Sequence, residues 1–166
     1  MKIAFLDRDG TIIEDYEDEK WREIEKPVFL KGAIEALKII KQKGYEIIIV
    51  TNQYLINERI ITLDQYKKIN QRFLNYLKAN NIKVLDVFFC PHSKEEKCDC
   101  FKPKPGLIKQ ALEKYPNIDL SNSFIVGDSK SDVKLGKHFN LLCFGINVNN
   151  EGCINVESLK EIVKYI

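Results

Sequence analysis

The sequence predicts an α/β fold, a Rossmann-like parallel sheet with helices on both faces. Three observations predict it. Short apolar runs alternate with segments of helical period, the runs mostly lack the polar alternation of a half-exposed strand, and polar residues gather directly after them.

The runs fall at residues 3–6, 47–50, 84–89, 124–126 and 141–146, with Asp86 as the one polar interruption. Five strands buried on both faces are expected there. In the first helical segment Ala33, Ile34, Leu37 and Ile40 share a face, and Gly44 is placed as a stop. The second begins at Thr62, with Gln65 completing a capping box, and carries Leu63, Tyr66, Ile69, Phe73 and Leu77. A third follows Pro105 and Gly106, a fourth covers about 131–138, and the last carries Leu159, Ile162, Val163 and Ile166. Right-handed βαβ units follow from the alternation. Residues 14–26 are heavily charged without a clean period and read as an exposed loop or flap.

The 166 residues suit a single domain, 1–166, with no linker or repeat to divide it. The 26 Lys and Arg against 24 Asp and Glu leave a net charge of +2 and no basic cluster, so neither nucleic acid nor an anionic membrane is expected as a partner. The apolar runs are far shorter than the ~18 residues of a membrane span. Asp7 arrives too early for a signal peptide, so a cytoplasmic, monomeric protein is expected. Five cysteines, an odd number, argue against a disulfide framework. Cys90, His92, Cys98 and Cys100 lie within eleven residues, and four such ligands suit a closed, structural Zn²⁺ site in a small loop at about 90–100. Free or redox-active thiols are the alternative.

The carboxyl ends of the strands carry Asp7 and Asp9, Thr51 and Asn52, Cys90 and His92, and Asp128. Ligands bind at such ends in an open α/β sheet, so residues more than a hundred apart are expected to converge. Three carboxylates, a hydroxyl and the Lys102 ammonium suit Mg²⁺ and a phosphate. A cation bridging Asp7, Asp128 and a phosphate monoester, together with Lys102, would offset the repulsion that a carboxylate nucleophile meets. Asp9, two residues on, is placed to protonate the leaving oxygen and then to deprotonate a water. Taken alone, Asp128 and Asp132 could equally be helix-capping carboxylates, Thr51 and Asn52 turn residues, and Lys102 a surface lysine.

Asp7-Arg8-Asp9-Gly10-Thr11 resembles the first motif of the haloacid dehalogenase (HAD) phosphatases, and Thr51-Asn52-Gln53 the second. Lys102 resembles the third-motif lysine, and 126–132, Val-Gly-Asp-Ser-Lys-Ser-Asp, the fourth. The cysteine block running into Phe101-Lys102-Pro103-Lys104-Pro105-Gly106 is similar to the zinc-loop branch. That branch holds heptose 1,7-bisphosphate phosphatases and histidinol-phosphate phosphatase domains. The resemblance implies Asp7 as nucleophile, Asp9 as acid/base, and Asp128 with Asp7 and the Asp9 main-chain carbonyl on Mg²⁺. It also implies Thr51, Asn52 and Lys102 around the phosphoryl group, with Asp132 supporting the metal's water shell. The substrate it implies is a small phosphorylated metabolite, a sugar such as D-glycero-D-manno-heptose 1,7-bisphosphate first and histidinol phosphate second.

Two positions depart from the branch: Phe101 stands where Arg is common, and Ser129 where Lys or Arg is common. Both losses weaken the case for a second phosphate, unless Lys104 or Arg22 compensates. The intervals 9–51 and 51–102 leave no room for a separate cap domain, so the rim, including Trp21, Arg22, Gln53 and Phe101, is expected to select the substrate. Two non-enzyme readings compete. A phospho-accepting receiver domain would carry its aspartate after the middle strand, where this chain has Cys90. A zinc-based nucleic-acid module would need a basic stripe, but the charges of Lys94-Glu95-Glu96-Lys97 cancel.

Overall fold

The computed structural model describes residues 1–149 and 151–166. Six parallel strands form one sheet: β1 (Ile3–Leu6), β2 (Glu46–Asn52), β3 (Val84–Cys90), β4 (Phe124–Gly127), β5 (Leu142–Ile146) and β6 (Ile154–Val156). Their order is β3-β2-β1-β4-β5-β6. The chain winds outward from β1 in one direction and from β4 in the other. The pair β1/β4 is therefore the topological switch point, where an open sheet leaves a crevice beyond its carboxyl ends.

Successive strand residues face opposite sides, and two cores result. Ala4, Leu6, Ile47 and Ile49 pack against α1 (Ala33–Gln42), α2 (Leu63–Ala79) and a closing 3₁₀ helix (Leu159–Lys164). Ile3, Phe5, Ile48 and Val50 pack against α3 (Gly106–Lys114) and α4 (Lys130–His138). Strands β1, β2 and β4 have both faces covered and no solvent face to mark with polar residues, which is why their runs read as unbroken, whereas β3, at the sheet edge, is only half-buried, against expectation. The interruption, Asp86, lies on the edge strand β3, where Lys114 Nζ and the Tyr115 hydroxyl donate to its Oδ2 at 2.6 and 3.0 Å. The capping box at Thr62 and Gln65 is formed as expected.

Four details differ from the sequence reading. A sixth strand, β6, is present; at three residues with a polar centre it carries too little apolar signal to stand out. The last helical segment winds as 3₁₀ rather than α. The fourth helix is capped one residue before its first turn by Ser129, in a reciprocal box with Asp132. The charged stretch 14–26 holds a 3₁₀ helix (Asp18–Glu23) whose Trp21 is buried. Among the described residues no helix is long and apolar enough to cross a membrane.

Candidate active site

The cleft opens at the switch point and encloses about 290 Å³. The backbone N–H of Asp7 donates to the Val126 carbonyl at 2.9 Å, so β1 and β4 deliver Asp7 and Asp128 side by side. Gly10, at φ 76°, turns the chain sharply away; a Cβ there would collide with the Asp128 carboxylate. Gly127 performs the complementary service, since a Cβ on it would strike the side chain of Asp132.

Lys102 lies beneath this group, almost wholly buried, with all three ammonium protons engaged. It donates to Asp7 Oδ1 at 2.8 Å, to Asp132 Oδ1 at 2.6 Å and to the Val50 carbonyl at 2.9 Å. Burial alone would push its pKa down, but Asp132 and Asp7 outweigh that and raise it, so it stays an ammonium. The Asn52 side chain grips the Lys102 main chain in both directions, accepting from its N–H at 2.9 Å and donating to its carbonyl at 3.3 Å. Asp132 is fixed from the other side, its Oδ2 accepting from Ser129 N and Oγ. Thr51 Oγ1 lines the cleft and accepts from Gln53 Nε2 at 3.0 Å.

Four carboxylates, Asp7, Asp9, Asp128 and Asp132, share this floor with two cations, Arg8 and Lys102. The imbalance is felt. Burial raises the Asp7 pKa well above its ordinary value; Lys102 opposes this, while Asp132, Asp128 and Asp9 add to it. Burial and then Asp132 push Asp128 up to about 6. Ligand atoms of Asp7, Asp128 and Asp132 lie within 4.8 Å of one another. An oxygen-only donor set with excess negative charge fits a hard divalent cation such as Mg²⁺.

The sequence-predicted zinc residues also converge. Cys90 Sγ lies 3.4 Å from His92 Nδ1, 3.8 Å from Cys98 Sγ and 3.0 Å from Cys100 Sγ, with His92 Nδ1 3.1 Å from Cys100 Sγ. Tetrahedral Zn²⁺ with Zn–S of about 2.3 Å sets its ligands roughly 3.8 Å apart, so the four side chains fit that ion. The loop is tied to the segment after β2, where Asn57 Nδ2 donates to both Glu96 oxygens at 3.1 and 2.9 Å. It feeds directly into Phe101 and Lys102.

The rim departs from expectation. Arg22 is exposed, pairs with Glu19 and lines a different cleft, and Lys104 Nζ is spent on the Cys98 carbonyl. Neither reaches the site. Trp21 and Gln53 line the cleft but are buried, so they act more on the floor than on a substrate. Phe101 lines the cleft as expected, and Asp15, Asp18, Tyr54 and Lys94 complete the rim, Asp15 and Lys94 exposed and the others half-buried. Tyr54 donates to Asp18 at 2.7 Å, and the Lys94 ammonium lies 4.7 Å from the Tyr54 ring. Sequence reasoning missed Asp15, Asp18, Tyr54 and Lys94 because isolated polar residues in loops carry no period. It also missed Arg8, which a signal could have found: directly after a strand buried on both faces an arginine is carried into the core, where a charge requires a partner, and it finds one in Asp9.

Comparison with known proteins agrees with this geometry. Residues 2–148 match the Polynucleotide kinase 3 phosphatase family. The chain belongs to that family. It is a phosphatase of the HAD type. A D-glycero-alpha-D-manno-heptose-1,7-bisphosphate 7-phosphatase of Photorhabdus laumondii is 40% identical over 144 residues, covering 82% of this chain and 77% of that protein. The histidine biosynthesis bifunctional protein HisB of Buchnera aphidicola is 34% identical over 165 residues, 99% of this chain but 46% of that protein. Among solved structures, the D,D-heptose 1,7-bisphosphate phosphatase of B. bronchiseptica, crystallised with magnesium and phosphate, superposes with a TM-score of 0.86. It is 23% identical and covers 99% of this chain and 97% of its own.

Proposed function

We propose that residues 1–166 form a single phosphatase domain that hydrolyses a small phosphomonoester through an aspartyl-phosphate on Asp7, acting as a monomer. The observation that carries the reading is Lys102, held beneath the open cleft between Asp7 and Asp132. Such a bridge fixes the nucleophile and leaves a positive charge where phosphoryl oxygens would gather.

Asp7 attacks phosphorus, and the bond to the leaving oxygen breaks as Asp9 gives that oxygen a proton. Asp9 then takes a proton from the water that attacks the aspartyl-phosphate, and the Asp7 carboxylate and inorganic phosphate are released. Thr51 Oγ1 is available to the transferring group, while Asn52 acts by holding the Lys102 main chain. Mg²⁺, held by Asp7, Asp128 and the Asp9 main-chain carbonyl, would neutralise the phosphoryl oxygens, with Asp132 supporting its water shell. Zn²⁺ on Cys90, His92, Cys98 and Cys100 would cross-link the loop that delivers Lys102. A thiol site of this kind needs a reducing compartment, which supports a cytoplasmic setting.

The substrate reading is a phosphorylated sugar, with D-glycero-D-manno-heptose 1,7-bisphosphate as the leading candidate because a similar protein carries that activity in its name. Histidinol phosphate is the second reading, and one feature favours it. The rim sets Asp15 and Asp18 against the single cation Lys94, with Phe101 adding no charge, which suits an amine better than a second phosphate. Phosphate release with Mg²⁺ across heptose 1,7-bisphosphate, histidinol phosphate, hexose phosphates and nucleotides tests both. One substrate should be turned over far faster than the rest and be lost in Asp7→Asn. Release that survives Asp7→Asn would sink the mechanism.

A further inference from the structure

Arg8 stands between two catalytic aspartates and has been given no task. Its guanidinium is 1% exposed, and its carbon lies 5.3 Å from the Tyr66 ring and 5.9 Å from the Trp21 ring. Nε donates to Asp9 Oδ1 at 2.8 Å and Nη2 to Asp9 Oδ2 at 3.0 Å, a two-pronged pair. Nη1 is buried and has no hydrogen-bond partner. Burying a guanidinium with an unmet N–H is costly, and an apolar side chain of similar volume often serves stability as well or better. Packing therefore gives no reason for an arginine here.

Its effect on Asp9 does. Each carboxylate oxygen offers two lone pairs. Asp9 Oδ2 spends both, on Arg8 Nη2 and on Gln53 Nε2 at 2.7 Å. Oδ1 spends one, on Arg8 Nε. Only Oδ1 retains a site that can take up and release a proton. The fork also fixes the carboxylate plane, because two parallel bonds to one rigid guanidinium leave no free rotation. The two rings hold the guanidinium in turn, Tyr66 from α2 and Trp21 from the flap.

We propose that Arg8 is a positioning residue that presents Asp9 Oδ1 to the cleft as the proton-carrying atom, steadied by Gln53 and by the Tyr66 and Trp21 rings. This rests on the reading of Asp9 as the acid/base. In the first step the Oδ1–H bond breaks and its proton passes to the leaving oxygen, which keeps the electron pair of the broken P–O bond. In the second step a water proton returns to Oδ1 as the water oxygen bonds to phosphorus and the bond from phosphorus to the Asp7 oxygen breaks, releasing the Asp7 carboxylate and inorganic phosphate.

The test uses two leaving groups. An alkyl phosphate needs its oxygen protonated, whereas p-nitrophenolate departs without help. Arg8→Met should lower alkyl-phosphate turnover by about 10²-fold or more, the scale of general acid catalysis. With p-nitrophenyl phosphate it should still release one rapid equivalent of nitrophenol per chain, followed by a slowed steady state. Asp9→Asn should show the same signature, and Arg8→Met should add less than threefold to it. Arg8→Lys, which keeps the charge but loses the fork, should fall between wild type and Arg8→Met, and it carries the test should Arg8→Met fail to fold.

A burst that falls in parallel with alkyl turnover, or an effect that multiplies with Asp9→Asn, would show a general structural role and overturn the proposal. So would alkyl turnover in Arg8→Lys indistinguishable from wild type. If Asp9→Asn itself shows no dependence on the leaving group, the acid/base reading falls and the proposal falls with it. If Asp9→Asn shows that dependence and Arg8→Met does not, only the role of Arg8 is lost.

Discussion

The floor of the cleft and the cysteine loop both gather ligand-type side chains, and they do so by opposite routes. Asp7, Asp128 and Asp132 come from β1, β4 and the first turn of α4, brought together by sheet order and by hydrogen bonds across the core. Cys90, His92, Cys98 and Cys100 come from one eleven-residue stretch. The floor is open to solvent and crowded with like charge, so its pKa values are disturbed. The four loop side chains converge on one another, and bonds from Asn57 hold the loop against the segment after β2. Function can therefore be destroyed at the floor with the fold intact, whereas damage to the loop reaches function through the residues it delivers to the cleft, Lys102 beneath and Lys94 and Phe101 at the rim.

The largest effect should come from the floor. Asp7→Asn should lower turnover by more than about 10³-fold, because an amide is a poor nucleophile and Lys102 and the Val126 carbonyl hold position 7, and no other carboxylate, at the point of attack. Its zinc content should equal that of the wild type, about one ion per chain by elemental analysis. Zinc lost together with activity would mean that the two regions are not separable.

Damage to the loop should be milder for catalysis and worse for stability. Cys100→Ser removes a ligand two residues before Lys102. We expect zinc to be lost, the melting temperature to fall, and kcat to drop about 10- to 100-fold, the usual scale for removing support from a reactive group. A variant that loses zinc but keeps full kcat would show that Asn52, through its two bonds to the Lys102 main chain, suffices to hold it.

The same contrast decides what could be read from sequence. The convergence of Cys90, His92, Cys98 and Cys100 was legible at once, because the four are local and their spacing is nearly a signature. The strands were legible because a doubly covered sheet leaves unbroken apolar runs. The floor was legible as four separate motifs, whose convergence rests on strand order that no local pattern encodes. The rim was the least legible. Arg22 pointed elsewhere, and Trp21 and Gln53 turned inward, because loop side chains are placed by tertiary contacts without a period to mark them. Arg8 was masked by its own setting: beside two aspartates it reads as part of the motif.

Crowding at the floor predicts a pH dependence for the metal-free chain. Burial and Asp132 raise the Asp128 pKa to about 6. A carboxyl whose pKa rises on folding binds more protons in the folded state. Its contribution to stability is thus fully present below pH ~4 and is lost as pH climbs through about 6, a penalty of about 3 kcal/mol at most. Asp128→Asn should therefore melt several degrees above wild type at pH 7.5 without metal, and the gap should close toward pH 4. Added Mg²⁺ should raise the wild-type melting temperature and leave the variant nearly unmoved. A gap independent of pH would mean that Asp128 is not under the strain its surroundings imply.

The smallest effect should lie at the rim. Phe101 packs partly on the core and lines the same cleft as Asp15 and Asp18, its ring 6.3 Å from the Tyr54 ring. Phe101→Arg adds a cation where the rim has only Lys94. The new charge is close to solvent, so its pairing with a second phosphate is worth about 0.2–1 kcal/mol, roughly a 1.5- to 5-fold change. The ratio of kcat/KM for heptose 1,7-bisphosphate to that for a heptose monophosphate should rise by that factor, through KM. The gain should shrink as salt is added, since exposed charges are screened over ~10 Å at 0.1 M. A ratio that does not move would place substrate choice away from Phe101, and Lys94, the rim's remaining cation, would then be the residue to replace.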